Sequence, residues 1–238
     1  MKTCIIIPAR MDSTRLPGKP LLDICGKPMI QRVYERACET GFEVYLALCD
    51  RELADAAQSF GASFIMTRKD HRSGTDRIAE AALSMDCDTV INLQGDEPLI
   101  DPRDIVRLAN ALESSGAGMA TLIVPISKAE AADPNLVKAV CDQKGYAMYF
   151  SRSPIPYDRE PGAAYYGHIG IYAYRRSFLL EYPKMQRTPL ERSESLEQLR
   201  ALENGYRIRT LTVAEKPMGV DTREDYERVC SIFEAADV

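Results

Sequence analysis

The chain has 238 residues, enough to bury a substantial core, and 30 Lys and Arg stand against 35 Asp and Glu for a net charge of −5. That balance argues against a nonspecific nucleic-acid or membrane-surface binder, while 45% apolar content and a mean hydropathy of −0.25 fit a soluble globular protein. No apolar run reaches transmembrane length, the stretch before Pro8 and Arg10 is too short for a signal peptide, and seven scattered cysteines without a C-x-x-C pair read as reduced thiols. A cytoplasmic location is the expectation.

The apolar run over residues 4–7 stops at Pro8 and opens into a loop carrying Arg10, Ser13, Thr14, Arg15 and Lys19. It reads as a buried parallel strand feeding an anion cradle, because open α/β sheets hold ligands beyond the carboxyl ends of such strands. Neither G-x-G-x-x-G nor a P-loop occurs, so side chains must do most of the holding. Residues 21–26 predict a short turn that delivers Pro28 to the first position of a helix, with Met29, Ile30, Val33, Tyr34 and Ala37 on one face and Gly41 at its end.

A strand over 44–49, a helix over 52–60 stopped by Gly61 and a strand over 63–67 continue the alternation of βαβ units. Ser73-Gly-Thr-Asp76 has the spacing of a capping box, and Gly95-Asp96-Glu97-Pro98 closes a strand over 88–94. A helix follows from Asp101 and Pro102 to about residue 114, then a strand over 119–126. From residue 137 the pattern changes to strands over 137–141, 146–150 and 167–174 joined by turns, an antiparallel excursion from a mainly parallel sheet with helices on both faces. This segment is rich in Tyr, which fits strand propensity, a substrate lid or a subunit interface. A long helix over 190–204, a strand over 207–213 and a final helix boxed by Thr222 and Asp225 complete one compact domain over 1–238, with the excursion at about 137–190.

Acids at helix starts need no catalytic role, which accounts for Asp76, Asp101, Asp104 and Asp225. Asp96 and Glu97 escape that explanation, and Asp221 is intermediate. If Asp96 and Asp221 converge beside the cationic loop, they form a hard-oxygen site for Mg²⁺.

In their order along the chain, IIPAR-x-x-STRLPGKPL (6–21), GKPMI (26–30), SGTDR (73–77), NLQGDEP (92–98), YFSR (149–152), HIGIYAY (168–174), LEQLR (196–200) and GVDT-x-ED (219–225) resemble the 3-deoxy-manno-octulosonate (Kdo) cytidylyltransferases, also called CMP-Kdo synthetases. The resemblance implies a nucleotide-diphospho-sugar transferase-like α/β fold and transfer of CMP from CTP to the anomeric hydroxyl of Kdo, with release of pyrophosphate, for lipopolysaccharide synthesis. It further implies that Arg10, Ser13, Arg15 and Lys19 hold the triphosphate, that Ser73, Arg77 and Gln94 seat the nucleotide, and that Asp96 and Asp221 bind Mg²⁺. Arg10, Lys19 and Asp96 would then be catalytic, Arg152, His168, Tyr172, Glu197 and Gln198 would form the sugar pocket, and the chain would be a homodimer. Residues 157–166 form a shorter loop than in some relatives, which leaves an amino-substituted Kdo analogue open as acceptor. Two other classes stay in view. A glycosyltransferase would use a D-x-D motif, which Asp86-Cys87-Asp88 matches only before its strand, and a noncatalytic nucleotide-binding protein would need the cradle without the paired acids.

Overall fold

The computed structural model describes residues 1–12, 16–160 and 162–236. Its backbone divides into two compact units, Met1–Val106 with Pro217–Val238, and Arg107–Lys216.

The first unit begins with β1 (Thr3–Pro8), in which Cys4, Ile5, Ile6 and Ile7 are all fully buried. A continuous β-branched run of this kind satisfies a strand covered on both faces. A tight hairpin, β2 (Asp23–Ile24) and β3 (Lys27–Pro28), then leads into α1 (Met29–Cys38). Pro28 therefore lies one residue earlier than its expected place inside the helix: it pairs with Asp23 in the hairpin and stands at the helix N-cap with φ −55° and ψ 144°. The chain continues through β4 (Glu43–Leu48), α2 (Arg51–Ser59), β5 (Phe64–Met66), α3 (Gly74–Ala82), β6 (Thr89–Asn92) and α4 (Pro102–Glu113).

Parallel pairing runs β6-β1-β4-β5. The chain moves outward from β1 to β4 and β5, then returns through α3 to the other side of β1. With right-handed crossovers, that reversal puts α3 on the opposite face from α1 and α2 and leaves a switch point between the carboxyl ends of β1 and β6.

In the second unit, β7 (Met119–Ile126) is followed by α5 (Lys128–Ala131), β8 (Lys138–Cys141), β9 (Ala147–Ser151), β10 (Tyr165–Arg175), α6 (Arg176–Glu181), α7 (Pro189–Glu194), α8 (Leu199–Glu203) and β11 (Ile208–Thr212). β10 runs antiparallel to β7 and β8, and β8 antiparallel to β9, whereas β11 is parallel to β7. The mixed α/β fold with an antiparallel excursion is thus as expected. α5 was not foreseen; it is a single turn whose signal is the Ser127/Glu130 capping box. Finally α9 (Arg223–Ala236), boxed as expected by Thr222 and Asp225, packs Val229 into a first-unit cluster with Leu16, Ile24, Met29 and Val220. No helix among the described residues is long and apolar enough to cross a membrane.

The expected helix over 190–204 is instead two short helices, α7 and α8, broken at Ser195, which adopts the left-handed region at φ 53°. The cause is a buried ion pair. In one continuous helix, Glu191 and Arg200 would stand about 13.5 Å apart along the axis. The break folds them together, with Arg200 donating to Glu191 at 2.6 and 2.9 Å while the two residues are only 7% and 2% exposed. Burial by itself would raise the Glu191 carboxyl, but the Arg200 hydrogen bonds and charge outweigh it and hold the group below its ordinary range.

Removing one member of a buried pair strands the other charge, so Arg200→Met is expected to lower stability by about 3–5 kcal/mol in urea unfolding at neutral pH. Because the folded Glu191 carboxyl lies below its unfolded value of 4.5, the pair's contribution is present above that pH and shrinks as pH falls through the folded value, and the gap between variant and parent should narrow with it. A loss of less than about 1 kcal/mol would mean that the pair does not set the break.

Candidate active site

Beyond the ends of β1 and β6, the first unit holds a cavity of about 360 Å³ bordered by Arg10, Lys19, Ser73, Arg77, Gln94 and Asp96. Gly95 lets the two strand ends approach: a Cβ there would lie 3.2 Å from both the Pro8 carbonyl oxygen and Ile30 Cδ1. Lys19 enters from a 3₁₀ turn after Gly18, and its Nζ donates to Asp96 Oδ2 at 2.6 Å and to Asp221 Oδ1 at 3.4 Å. Asp221 is delivered by the backbone, since the Val220 amide donates to the Asp96 carbonyl at 2.8 Å. The adjoining Gly219 passes so close to Glu97 that a Cβ would meet its Oε1 at 3.0 Å. Asp225 Oδ2 accepts from the Asp221 amide at 3.1 Å and fixes that turn from the far side.

The opposite wall is the start of α3. Ser73 Oγ accepts from the Asp76 amide at 3.1 Å, the helix N-cap the sequence called for, so this positive helix end faces the cavity. Arg77, 3% exposed, is tied to the end of β5 through Thr67 Oγ1 at 2.6 Å and the Arg68 carbonyl at 3.3 Å. Gln94 leans on Asn92 Oδ1 at 3.4 Å. Ser13 and Arg15 lie outside the described residues.

Supporting residues passed over by the sequence reading appear here. Asp50 accepts the Met11 amide at 2.9 Å and anchors the loop that begins at the cradle; burial opposes its charge, but this amide and neighbouring groups hold the carboxyl low. His71, beside the cavity, is bound to the Glu80 carboxylate, which is held below its usual range against its burial by that contact and by the Arg68 amide. The only signal for His71 was an imidazole two residues before the 73–77 motif, and Asp50 stood near no motif at all.

The second unit gathers the remaining candidates. His168 and Tyr172 lie on β10 with ring centroids 5.4 Å apart. Burial and then the nearby Glu197 carboxylate push the Tyr172 phenol up, so it stays protonated and able to donate. The Tyr182 hydroxyl donates to the Glu197 carbonyl at 2.5 Å, which fixes the turn between α7 and α8. Gln198 is only 5% exposed, and its Nε2 has no hydrogen-bond partner among the described residues. A buried amide without a partner is costly in a closed core and natural where a ligand oxygen is to come. Arg152 is steered by carbonyls, its guanidinium donating to Glu194 O at 2.8 Å and Pro134 O at 3.1 Å, while its amide donates to the Glu194 carboxylate at 2.9 Å. Lys138, fully buried, donates to the carbonyls of Asp133, Leu136 and Arg152 and holds this corner together.

A sequence-family model described as cytidylyltransferase matches residues 4–208. The chain is 51% identical over 236 residues to the 3-deoxy-manno-octulosonate cytidylyltransferase of Escherichia coli, covering 98% of this chain and 96% of that protein. It is 50% identical to the enzyme of the same name from Solibacter usitatus, over 97% and 94% of the two chains. The chain belongs to this family. A solved CMP:2-keto-3-deoxy-manno-octonic acid synthetase, in complex with CTP, superposes with a TM-score of 0.96 at 49% identity over 100% of both chains. In this cytidylyltransferase, then, the family's motifs divide between the units: the described residues of 6–21, with 26–30, 73–77, 92–98 and 219–225, belong to the first, and 149–152, 168–174 and 196–200 to the second.

Burial pushes the His168 imidazole down to about 3, so it is neutral throughout the roughly pH 5–8 range in which histidines usually titrate. The unfolded chain takes up this proton near pH 6.5 and the folded chain only near 3, so this residue's contribution to stability is lost as pH falls between those values. The Cε1 proton resonance of His168 should show no inflection between about pH 5 and 8; a midpoint near 6.5 would contradict the buried, neutral ring.

Proposed function

We propose that this chain transfers CMP from CTP to the anomeric hydroxyl of Kdo, releasing pyrophosphate. The observation that carries this reading is the convergence of Lys19, Asp96 and Asp221 beside a cavity with a helix N-terminus and cationic side chains on its walls, in a chain about half identical to named Kdo cytidylyltransferases over nearly its whole length. A glycosyltransferase D-x-D site is not favoured, since Asp88 is occupied with the Lys2 amide at the amino end of the sheet.

In this reading Arg10, Lys19 and the start of α3 bind the triphosphate, with Ser13 and Arg15 from the same loop. Ser73, Arg77 and Gln94 seat the nucleotide, while Arg152, His168, Tyr172, Glu197 and Gln198 bind the acidic sugar. The acceptor hydroxyl attacks the α-phosphorus as the bond to pyrophosphate breaks. Charge accumulates on the α-phosphate oxygens, where Arg10 offers positive charge from the end of β1. Phosphoryl-type transfer depends mainly on positioning and electrostatics, and two anions must be brought together before attack is possible.

Among the described residues no group of three or more His, Cys, Asp and Glu gathers as metal ligands. The pair Asp96 and Asp221 nevertheless fits a hard divalent ion, because both present an oxygen to one point that the Lys19 ammonium marks as a cation position. Mg²⁺ commonly takes one or two carboxylates and completes its shell with water and substrate phosphates. Asp96 and Asp221 would hold it, and when bound it would neutralise phosphate charge and make the acceptor hydroxyl more acidic. The resemblance also supports a cytoplasmic homodimer that supplies lipopolysaccharide synthesis, and sedimentation distinguishes one chain from two.

The test is pyrophosphate release from CTP and Mg²⁺ with Kdo, with an amino-substituted Kdo analogue, with sialic acid and with no sugar. Release is expected to require Kdo, to disappear in Asp96→Asn, and to fall on the order of 10²–10³ in turnover for Arg10→Ala, by analogy with loss of one oxyanion donor. Preference for the amino analogue would change only the acceptor. No release with any sugar, in a protein that binds CTP, would leave a noncatalytic nucleotide binder.

A further inference from the structure

Strand β10 carries two more residues than the stretch of β7 it faces. Pairing steps from Ile169 opposite Leu122 directly to Tyr172 opposite Thr121, which leaves Gly170 and Ile171 out of register. Such an interruption turns carbonyls away from the ladder, and they need another donor. Thr121, fully buried, supplies it: its Oγ1 lies 3.1 Å from the Ile169 carbonyl oxygen and 2.9 Å from that of Ile171. The same oxygen lies 2.9 Å from His168 Nε2.

A threonine hydroxyl has one proton to give and lone pairs to receive. Two of these three neighbours are carbonyl oxygens, which can only accept, so the proton goes to one of them. The contact with His168 must then run the other way, from an imidazole N–H to the threonine oxygen. The opposite assignment would set hydroxyl lone pairs against two carbonyl oxygens in a buried place, where unsatisfied polar contacts are costly.

We propose that Thr121 is a positioning residue that fixes His168 as the neutral Nε2–H tautomer, so that Nδ1 is presented as a bare acceptor for a hydroxyl of the acidic sugar. The sugar-facing half of this assignment rests on the function proposed above. The ring plane is set by the edge contact with Phe150 at 5.0 Å and 71° and by Tyr172. An imidazolium would be a donor on both nitrogens and would seek the sugar's carboxylate. A ring locked neutral with one acceptor reads a hydroxyl instead, and leaves the carboxylate to a cation such as Arg152.

The chain has only two histidines, so long-range ¹H–¹⁵N spectra of histidine-labelled protein are readily assigned by comparison with His168→Gln. The ligand-free wild type should show protonated Nε2 and unprotonated Nδ1 for His168 at neutral pH. Thr121→Ser, which keeps the hydroxyl, should preserve both that pattern and the KM for Kdo. Thr121→Val should lose the single-tautomer pattern and raise the KM for Kdo on the order of tenfold, the size of one hydrogen bond, with the KM for CTP unchanged. A wild-type ring protonated at Nδ1, or a folded Thr121→Val with unchanged spectrum or unchanged KM for Kdo, overturns the assignment. Should Thr121→Val fail to fold, the wild-type and Thr121→Ser spectra decide alone. A wild type that turns over no Kdo while showing the Nε2–H ring defeats the proposed function, whereas an active wild type with the Nδ1–H ring defeats this inference.

Discussion

One ammonium between two carboxylates organises the first unit. Lys19 meets Asp96 from 77 positions away and Asp221 from 202, so the contact joins the loop after β1, the end of β6 and the segment before α9 at one point. Each supporting feature makes that meeting possible. Gly95 admits the close approach of the β1 and β6 ends, the Val220 amide ties the returning segment to Asp96, and Asp225 holds the Asp221 turn. Two carboxylates sharing a point repel less when a cation lies between them, so the position favours positive charge, a demand that Lys19 meets here. In the proposed reaction that demand is what makes the place suited to a divalent ion and a triphosphate.

The parallel framework was legible because its signals are local and redundant. Buried runs in β1, β4, β6 and β7 read as continuous apolar stretches, and the glycines and boxes around them mark the helix ends. The motifs at 6–21, 73–77 and 92–98 were legible as a site because a switch-point topology brings the carboxyl ends of adjacent strands together whatever the details of the loops. What was not legible depends on pairs of polar residues whose meeting no periodicity announces. Residues 190–204 read as one long helix, in which Glu191 and Arg200 would lie on opposite faces, and only their mutual burial reveals the break at Ser195. Asp50, Lys138 and Thr121 look like ordinary surface polar residues in sequence, yet each satisfies backbone groups at a structural irregularity. Pro28 shows the same limit at a boundary, where hairpin pairing and helix initiation compete for a single residue.

Tyrosine enrichment after residue 146 has a partly internal explanation. Phe150, His168, Tyr172, Tyr174, Phe178 and Tyr182 form a row in which successive ring centroids lie 5.0 to 6.4 Å apart, spacings typical of aromatic packing. Tyr174 and Tyr182 are buried within it, whereas Tyr157 stands 88% exposed outside it. The row links the irregular part of β10 to the α7–α8 turn through Tyr182, whose ring also lies 4.9 Å beneath the Arg200 guanidinium. The buried ion pair and the proposed sugar-binding residues are therefore parts of one packed system, and loosening the break would disturb the ring positions.

The two units differ in the kind of chemistry they offer. Around Lys19 the groups are ionic, as suits a ligand whose recognition is mainly charge. Around His168, beside the charges of Arg152 and Glu197, stand neutral groups: an imidazole held uncharged by burial, a phenol kept protonated, and the buried amide of Gln198. A polyhydroxylated acid carries one charge and many hydroxyls, so charge alone cannot tell it from other acids. Discrimination among hydroxyl patterns requires donors and acceptors that cannot exchange roles, because a missing or reversed hydrogen bond in a desolvated pocket costs far more than it does in water. A ring free to take either tautomer would accommodate either pattern and distinguish neither. The irregularity in β10 thus has a physical use: by setting carbonyls that can only accept beside the one proton of Thr121, it removes the freedom of a side chain that could otherwise switch.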